Sequence, residues 1–490
     1  MVTSLATCEI SVIYSKKGVM KKTKTIWIGL LGVLFLAAIF AACSNNDDNE
    51  QNKDQEPSTG NLIGVTEETE VSVDDMVAMA TANNENTALP EDLIDEQQYK
   101  NEVLDAAQDL NDRYGGGNGT YHSNVSFKVV TLNYSSIDGK GNPITLSGKL
   151  TLPQVRGDYI TIEDIILHCH GTNIDMTGGG ISPVTFKEMG AYSFAVIDPD
   201  YIGFGVTSKM PQTYLCQKLI ARQCVDMELA ALEYMKQKGI KFKNGYGTYV
   251  LGYSQGGGNA MAVGRHLQET DHGKIANKEV NVKGLYCGAG PYSPIGTFEH
   301  WLKTDSMCLT AVLSMVIKGQ QEGHSVVMKG TQLTSYFSDA YLASGIPQAF
   351  DTNNLSNAPG LLMGDSKLTD IQYPEPVVKT AYETCMGLPW MQFSKIMSPE
   401  FANPNSQIRT ALLQCLEMER VDDWIPQMPV ELYTAPRDNV IPVKANAYQV
   451  YEKFRTAGAP VTLVEAGYLA NHITGMVAWG NHVKLLLKKL

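Results

Sequence analysis

Residues 248–261 read TYVLGYSQGGGNAM. A buried-type strand, Thr248 to Tyr253, runs into Gly252-Tyr253-Ser254-Gln255-Gly256, and small residues then open a helical stretch. G-x-S-x-G between a strand and a helix describes a sharp turn that lifts the serine hydroxyl into the open. Glycines two places before and two after the serine remove side chains where neighbouring backbone must pass close by, and strained backbone of this kind clusters at functional sites. The helix that follows aims its amide dipoles at the serine and favours negative charge developing there. Ser254 is therefore the candidate nucleophile. The competing reading, a phosphate or dinucleotide cradle, fails on spacing: GxxxxGK[ST] is absent, and Gly252, Gly256, Gly257 and Gly258 do not make G-x-G-x-x-G.

A serine hydroxyl is a weak nucleophile until a base takes its proton, and that base must be oriented by a carboxylate. In this strand-turn-helix setting the partners follow the serine in the order acid, then histidine. Of nine histidines, His472 and His482 lie in the last stretch behind a suitable acid. His472 follows the run VTLVE across the loop AGYLAN, where a helix begins, whereas His482 lies inside that helix. Loops at strand ends carry catalytic groups more often than helix interiors, which selects His472. Asp438 follows the run VELYT at its carboxyl end, while Asp422 and Asp423 precede that run and fall at the wrong edge.

The oxyanion needs two amide donors. One is the backbone of Gln255; the other falls to Gly171 or Thr172 in the loop His168-Cys169-His170-Gly171-Thr172-Asn173 after the third strand. His168 and His170 share a strand face. No further ligands follow at a recognisable spacing, so no metal is expected, and the chemistry needs no cofactor.

Outward from the motif, eight apolar runs rich in β-branched residues read as strands: 125–134, 144–152, 162–169, 192–198, 248–253, 282–287, 430–434 and 461–465. Several are continuously apolar, which suits parallel strands covered on both faces. Helical patterns at 214–238, 259–268, 443–457 and 473–490 alternate with them, so the class is α/β: a mostly parallel eight-stranded sheet flanked by helices. The core is expected at 121–297 and 421–490, interrupted by a helical cap at 298–420 that is too long for a loop. A helical N-terminal extension is expected at 67–120.

The HG loop, GYSQGG, the DNVIP segment and Asn471-His472 together resemble the α/β-hydrolase superfamily, over about Val125 to Leu490. The run Asp200-Tyr201-Ile202-Gly203-Phe204-Gly205 beside GYSQGG looks most like bacterial and fungal secretory lipases and related esterases. The resemblance implies an α/β-hydrolase fold and an ester hydrolase with Ser254, Asp438 and His472 as its triad, acting on a small-molecule or lipid-like acyl ester. The cap, which differs freely among such proteins, matches nothing familiar. A peptidase or a glycan-deacylating esterase would use the same triad, and a surface binding lipoprotein that has lost its chemistry is the non-enzymatic alternative.

The chain of 490 residues is 43% hydrophobic and 19% charged, too apolar for wholesale disorder, and carries a net charge of -13. An acidic chain without basic runs lacks the surface that displaces counterions from nucleic acid, so no nucleic-acid partner is expected. Nothing in the sequence sets an oligomeric state. At the N-terminus, Met20 opens the basic segment KKTK, an apolar run spans Ile26 to Ala42, and Cys43 follows two alanines. The order of basic, apolar and small-residue regions is that of a secretory leader, and it resembles a bacterial lipoprotein signal, with translation starting at Met20 and Cys43 as the lipid-attachment site. Phe40 stands where such signals usually carry Leu. Residues 44–66 then form an acidic tether, which looks like the export signals of surface-displayed lipoproteins in some Gram-negative bacteria. These features point to the bacterial cell envelope, lipid-anchored at the outer membrane and facing outward. Seven cysteines remain beyond Cys43, an odd number without a CxxC pair, so no disulfide framework is implied. The alternative to a lipid anchor is an uncleaved apolar span, since the run is just long enough to cross a bilayer. Metabolic labelling with a palmitate analogue separates the two: the wild type should take up label and a Cys43→Ala variant should not, whereas an uncleaved span would leave both unlabelled and membrane-bound.

Overall fold

The computed structural model describes residues 61–82, 96–116, 119–173, 186–355 and 390–489. The signal segment, Cys43, most of the acidic tether, Cys385 and residues 356–389 of the cap lie outside the described residues. In chain order the strands and principal helices are β1 (Leu62–Ser72), α1 (Val73–Ala82), α2 (Glu96–Tyr114), β2 (Val125–Ile137), β3 (Pro143–Val155), β4 (Asp158–Tyr159), β5 (Asp164–Cys169), β6 (Phe194–Pro199), α3 (Gln217–Gln237), β7 (Thr248–Tyr253), α4 (Gln255–Glu269), α5 (Asp271–Val280) and β8 (Val282–Gly288). There follow α6 (Pro294–Thr304), β9 (Ser306–Met307), α7 (Ala311–Gly323), β10 (Met391–Gln392), α8 (Gln407–Met418), β11 (Val430–Thr434), α9 (Ala447–Thr456), β12 (Val461–Glu465) and α10 (His472–Leu487).

All eight expected strands form, and they join one sheet in the order β1-β2-β3-β6-β5-β7-β8-β11-β12, with β4 paired to β3. Pairing is antiparallel from β1 to β6 and parallel from β6 through β12. The chain runs from β5 outward to β6 and then crosses back to β7 on the other side of β5. Strand order reverses there, and in open α/β sheets the crevice beyond the carboxyl ends of strands at such a point is where ligands bind.

The sheet has ten strands rather than eight. The two additions are the two-residue β4 and the edge strand β1, which takes 62–66 from the expected tether and 67–72 from the expected helical extension. The acidic run TEETEV has no apolar stripe because β1 is exposed on most of its length, so periodicity carried no signal. Pairing holds it instead: its register runs from Leu62 opposite Tyr134 to Ser72 opposite Ser126. Asn61 Nδ2 adds a 2.7 Å hydrogen bond to Asp226 Oδ1 on α3. Its exposed glutamates suit an edge that must not pair with another chain. The helical part of the extension begins only with α1 and α2.

Alternation within the strands feeds two cores. Leu150, Leu167, Val250, Leu285 and Leu432 pack under α3, α4 and α9. Ile166, Val196, Leu251 and Tyr433 face the opposite way, against Trp479 of α10. The cap builds its own core around Phe298, Ile317, Tyr336, Phe393, Phe401 and Leu412. Among its described residues it is made of short helices, apart from the antiparallel pair β9 and β10.

Ionisable side chains are also buried here, Glu228 among them. Glu228 of α3 is fully buried, accepts a hydrogen bond from Thr248 Oγ1 and is pushed up to about 8 by burial. Its carboxyl is thus protonated in the folded protein at neutral pH, whereas the unfolded chain would release that proton near pH 4.5. The folded state binds the extra proton between about pH 4.5 and 8, so stability falls with rising pH through that window, by up to roughly 1.4 kcal/mol per pH unit. Urea unfolding of Glu228→Gln should show this slope flattened by about one proton; an unchanged slope would place the ionised carboxylate in the core.

Candidate active site

Ser254 sits between β7 and α4 with φ 57 and ψ -124, a left-handed conformation that costs a non-glycine residue about 1–3 kcal/mol. Its own N–H donates to Gly288 O at 2.9 Å, which anchors the turn to β8. The neighbouring glycines answer to contact. A Cβ on Gly252 would lie 2.3 Å from Gly256 O, one on Gly256 would lie 2.1 Å from Cys169 O, and one on Gly257 would lie 2.2 Å from Gly288 O. Side chains at these positions would push α4 off the ends of β5 and β8.

The structure brings Ser254, His472 and Asp438 together. His472 Nε2 lies 2.9 Å from Ser254 Oγ, and His472 Nδ1 lies 2.7 Å from Asp438 Oδ2. Both partners of the serine are buried. Asp438 Oδ1 accepts the backbone N–H groups of Val440 and Ile441 at 2.9 and 2.7 Å, so the carboxylate is fixed by its own loop. His472 opens α10 behind the N-cap Asn471, whose side chain and backbone form a capping box with Thr474. Tyr253 Oη donates to His472 O at 2.8 Å. Arg437 N–H donates to Ala470 O at 3.0 Å, tying the acid's loop to the histidine's.

The rival residues are engaged elsewhere. His482 Nε2 meets Glu431 Oε1 at 2.8 Å. Asp422 takes Arg420 in two hydrogen bonds, at 2.8 and 2.9 Å, and Asp423 pairs with Arg265. Asp198, on β6, holds His168 Nδ1 at 2.8 Å; burial opposes its ionisation, but the bond and charge of His168 hold its carboxyl below the usual range. His170 donates from Nδ1 to Gly171 O at 2.8 Å, stacks on Tyr201 and is pushed down to about 4 by burial, so it is neutral. The two histidines of the HCHG loop thus turn to different partners and shape that loop.

Gly171, Thr172 and Gln255 border the same cavity as Ser254 and His472. Gln255 is the first residue of α4, where backbone N–H groups lack helical partners. Thr172 Oγ1 lies 2.6 Å from the hydroxyl of Tyr214, a residue that sequence patterning did not single out. Burial pushes Tyr214 up to about 12, so its hydroxyl stays protonated. The cavity measures about 130 Å³ and is walled by cap side chains, among them Phe298, Trp301, Leu309, Val312, Val316 and Leu416. The run 307–317 divides its labour: Leu309, Val312 and Val316 border the cavity, while Leu313 and Ile317 pack in the cap core.

No protein-family profile matches this chain, and no curated protein matches its sequence. Solved structures do. The rice cell wall degrading esterase LipA from Xanthomonas oryzae aligns over 89% of this chain and 99% of its own, with a TM-score of 0.60 at 18% identity. A protein from Legionella pneumophila aligns over 86% of this chain and 97% of its own, with a TM-score of 0.56 at 16% identity. Candida antarctica lipase A in its closed state aligns over 85% and 78%, with a TM-score of 0.52 at 12% identity. The chain has the α/β-hydrolase fold. At such identities the likeness is one of fold, and the chemistry must be argued from the side chains.

Gly256→Ala tests the packing at the turn. Chemical unfolding should show a loss of about 1–3 kcal/mol or more, as for other overpacked sites. A change within about 0.5 kcal/mol, the range of ordinary surface substitutions, would mean that the backbone approach is looser than described.

Proposed function

We propose that this protein is a serine hydrolase of carboxylic esters. The observation that carries the proposal is one imidazole joining Ser254 Oγ, at 2.9 Å, to the buried carboxylate of Asp438, at 2.7 Å. In this reading Ser254 Oγ attacks the acyl carbonyl and His472 Nε2 takes the hydroxyl proton. Asp438 accepts Nδ1–H and stabilises the imidazolium that forms. The amide of Gln255, with Gly171 or Thr172, receives the oxyanion. His472 then returns the proton to the leaving alcohol, leaving an acyl-enzyme, and water activated by the same ring releases the acid.

The cavity argues for the substrate class. Aromatic and aliphatic cap side chains beside the nucleophile offer an acyl chain an apolar environment and offer a charged one no partner. Folds like this one include a cell wall degrading esterase and a lipase, which is in keeping with the ester reading. The leader and Cys43 complete the proposal: a lipid-anchored enzyme of the bacterial envelope, working on acyl esters that reach the cell surface.

A panel of p-nitrophenyl acyl esters of rising chain length, run beside aminoacyl p-nitroanilides, tests the reaction class. Esters should be cleaved in preference to amides. Ser254→Ala should lower kcat by about 10⁴-fold or more, and Asp438→Asn by about 10³- to 10⁴-fold. Exclusive cleavage of the amides would overturn the ester assignment, and an Asp438→Asn variant of wild-type activity would remove that carboxylate from the mechanism.

A further inference from the structure

Away from the serine, where the cap rests on α3, three metal-binding side chains meet. Cys216 is the N-cap of α3, His324 directly follows α7, and Glu419 directly follows α8. One ligand therefore comes from the layer that flanks the sheet and two from the cap. A ligand atom of each lies within 4.8 Å of the other two, and Cys216 and Glu419 are buried. His324 Nε2 is 2.7 Å from Glu419 Oε1. The other carboxylate oxygen, Oε2, accepts Lys218 N–H at 3.0 Å, and Gln217 donates to Glu419 O at 2.9 Å, so Glu419 is oriented from both ends. Outer contacts of this kind aim ligands at a metal.

A second observation comes from Gln320, one turn before His324 on α7. It is fully buried, its Nε2 lies 3.7 Å from Cys216 Sγ, and its Oε1 has no hydrogen-bond partner among the described residues. A buried amide oxygen left without a partner is destabilising, and this one belongs to the side chain whose Nε2 reaches Tyr214 O at 3.2 Å and Cys216 Sγ. The His324–Glu419 contact alone accounts for two of the four groups. The thiol of Cys216 donates to Gly319 O at 3.2 Å, a hydrogen bond that metal binding would replace.

We propose that Cys216, His324 and Glu419 bind a zinc ion, with the fourth position taken by Gln320 Oε1 or a water. A thiolate, an imidazole and a carboxylate make the mixed S, N, O set that suits tetrahedral zinc. With a neutral imidazole, the two negative ligands cancel the charge of Zn²⁺, and a neutral assembly suits a buried site. On binding, the thiol gives up its proton to solvent and the sulfur donates its electron pair to the metal. Zinc bonds of about 2.0–2.3 Å set neighbouring ligand atoms roughly 3.3–3.8 Å apart, so His324 and Glu419 separate by somewhat under an ångström to admit it. The ion would bolt the cap to α3. It would also brace one wall of the cavity, since Tyr214, Leu215 and Leu416 lie within a few residues of Cys216 and Glu419 in the chain. The expectation of no metal followed from spacing along the chain, and ligands drawn from three distant segments leave no such spacing.

The test uses the tag-free protein, purified without chelator and reconstituted with zinc. Elemental analysis should find about one zinc per chain, and removal with dipicolinate should lower Tm by several degrees. Competition against a chromophoric chelator should show zinc affinity reduced at least tenfold in both Cys216→Ser and His324→Gln. Cobalt in place of zinc should give a sulfur-to-metal charge-transfer absorption in the wild type, a readout that needs no variant. A folded wild-type protein holding less than a tenth of an equivalent after reconstitution would overturn the proposal. So would a cobalt complex without the sulfur band, or a Cys216→Ser variant that holds zinc as tightly as the wild type. The outcome is independent of whether Ser254 is the nucleophile, because labelling of that serine reports on a different site.

Discussion

Main chain meeting main chain at the end of β7 is the contact on which the rest of this structure depends. Gly252, Gly256 and Gly257 bring the first turn of α4 against Cys169 O and Gly288 O, with no room for a methyl group between them. That closeness forces Ser254 into a left-handed conformation and sets the start of α4 beside the loop that leaves β5. A hydroxyl, a helix N-terminus and the loop of Gly171 and Thr172 therefore share one small space at the point where strand order reverses. The strain at Ser254 is held by the hydrogen bond to Gly288 and by the sheet on either side.

Asp438 and His472, the other two members of the proposed triad, are positioned by local devices rather than by the sheet alone. Asp438 is gripped by the N–H groups two and three residues ahead of it, and His472 by a capped helix start and by Tyr253. Each loop is stiff before it meets the other, which is the condition for catalytic groups to keep their alignment without substrate. The cap then supplies what the core cannot. Its helices close an apolar space over the serine, and its own core of aromatic side chains keeps that wall in place independently of the sheet.

The sequence declared this centre through residues whose spacing is local. GYSQGG is a single turn, and its glycines mark backbone contacts that no other residue type permits. Asp438 and His472 were legible because each follows a short apolar strand at its carboxyl end. The central strands were legible for a related reason: β5, β6 and β7 are buried on both faces and read as nearly unbroken apolar runs. What escaped was carried by partners far away in the chain. β1 is exposed and acidic, so it shows no periodicity and exists through its register with β2. Tyr214 lies in a stretch that resembles any helix entry, and only the fold sets its hydroxyl against Thr172. The cluster of Cys216, His324 and Glu419 is scattered over three segments and has no pattern to find.

The central claim is that the hydroxyl of Ser254 is made nucleophilic by His472. Treating the purified protein with a fluorophosphonate and mapping the adduct by peptide mass spectrometry tests it most directly. The account predicts a single adduct on the peptide that contains Ser254, formed in the wild type and slowed by orders of magnitude when His472 is replaced by alanine. An adduct on any other residue, or labelling that proceeds at the same rate without the imidazole, would contradict it.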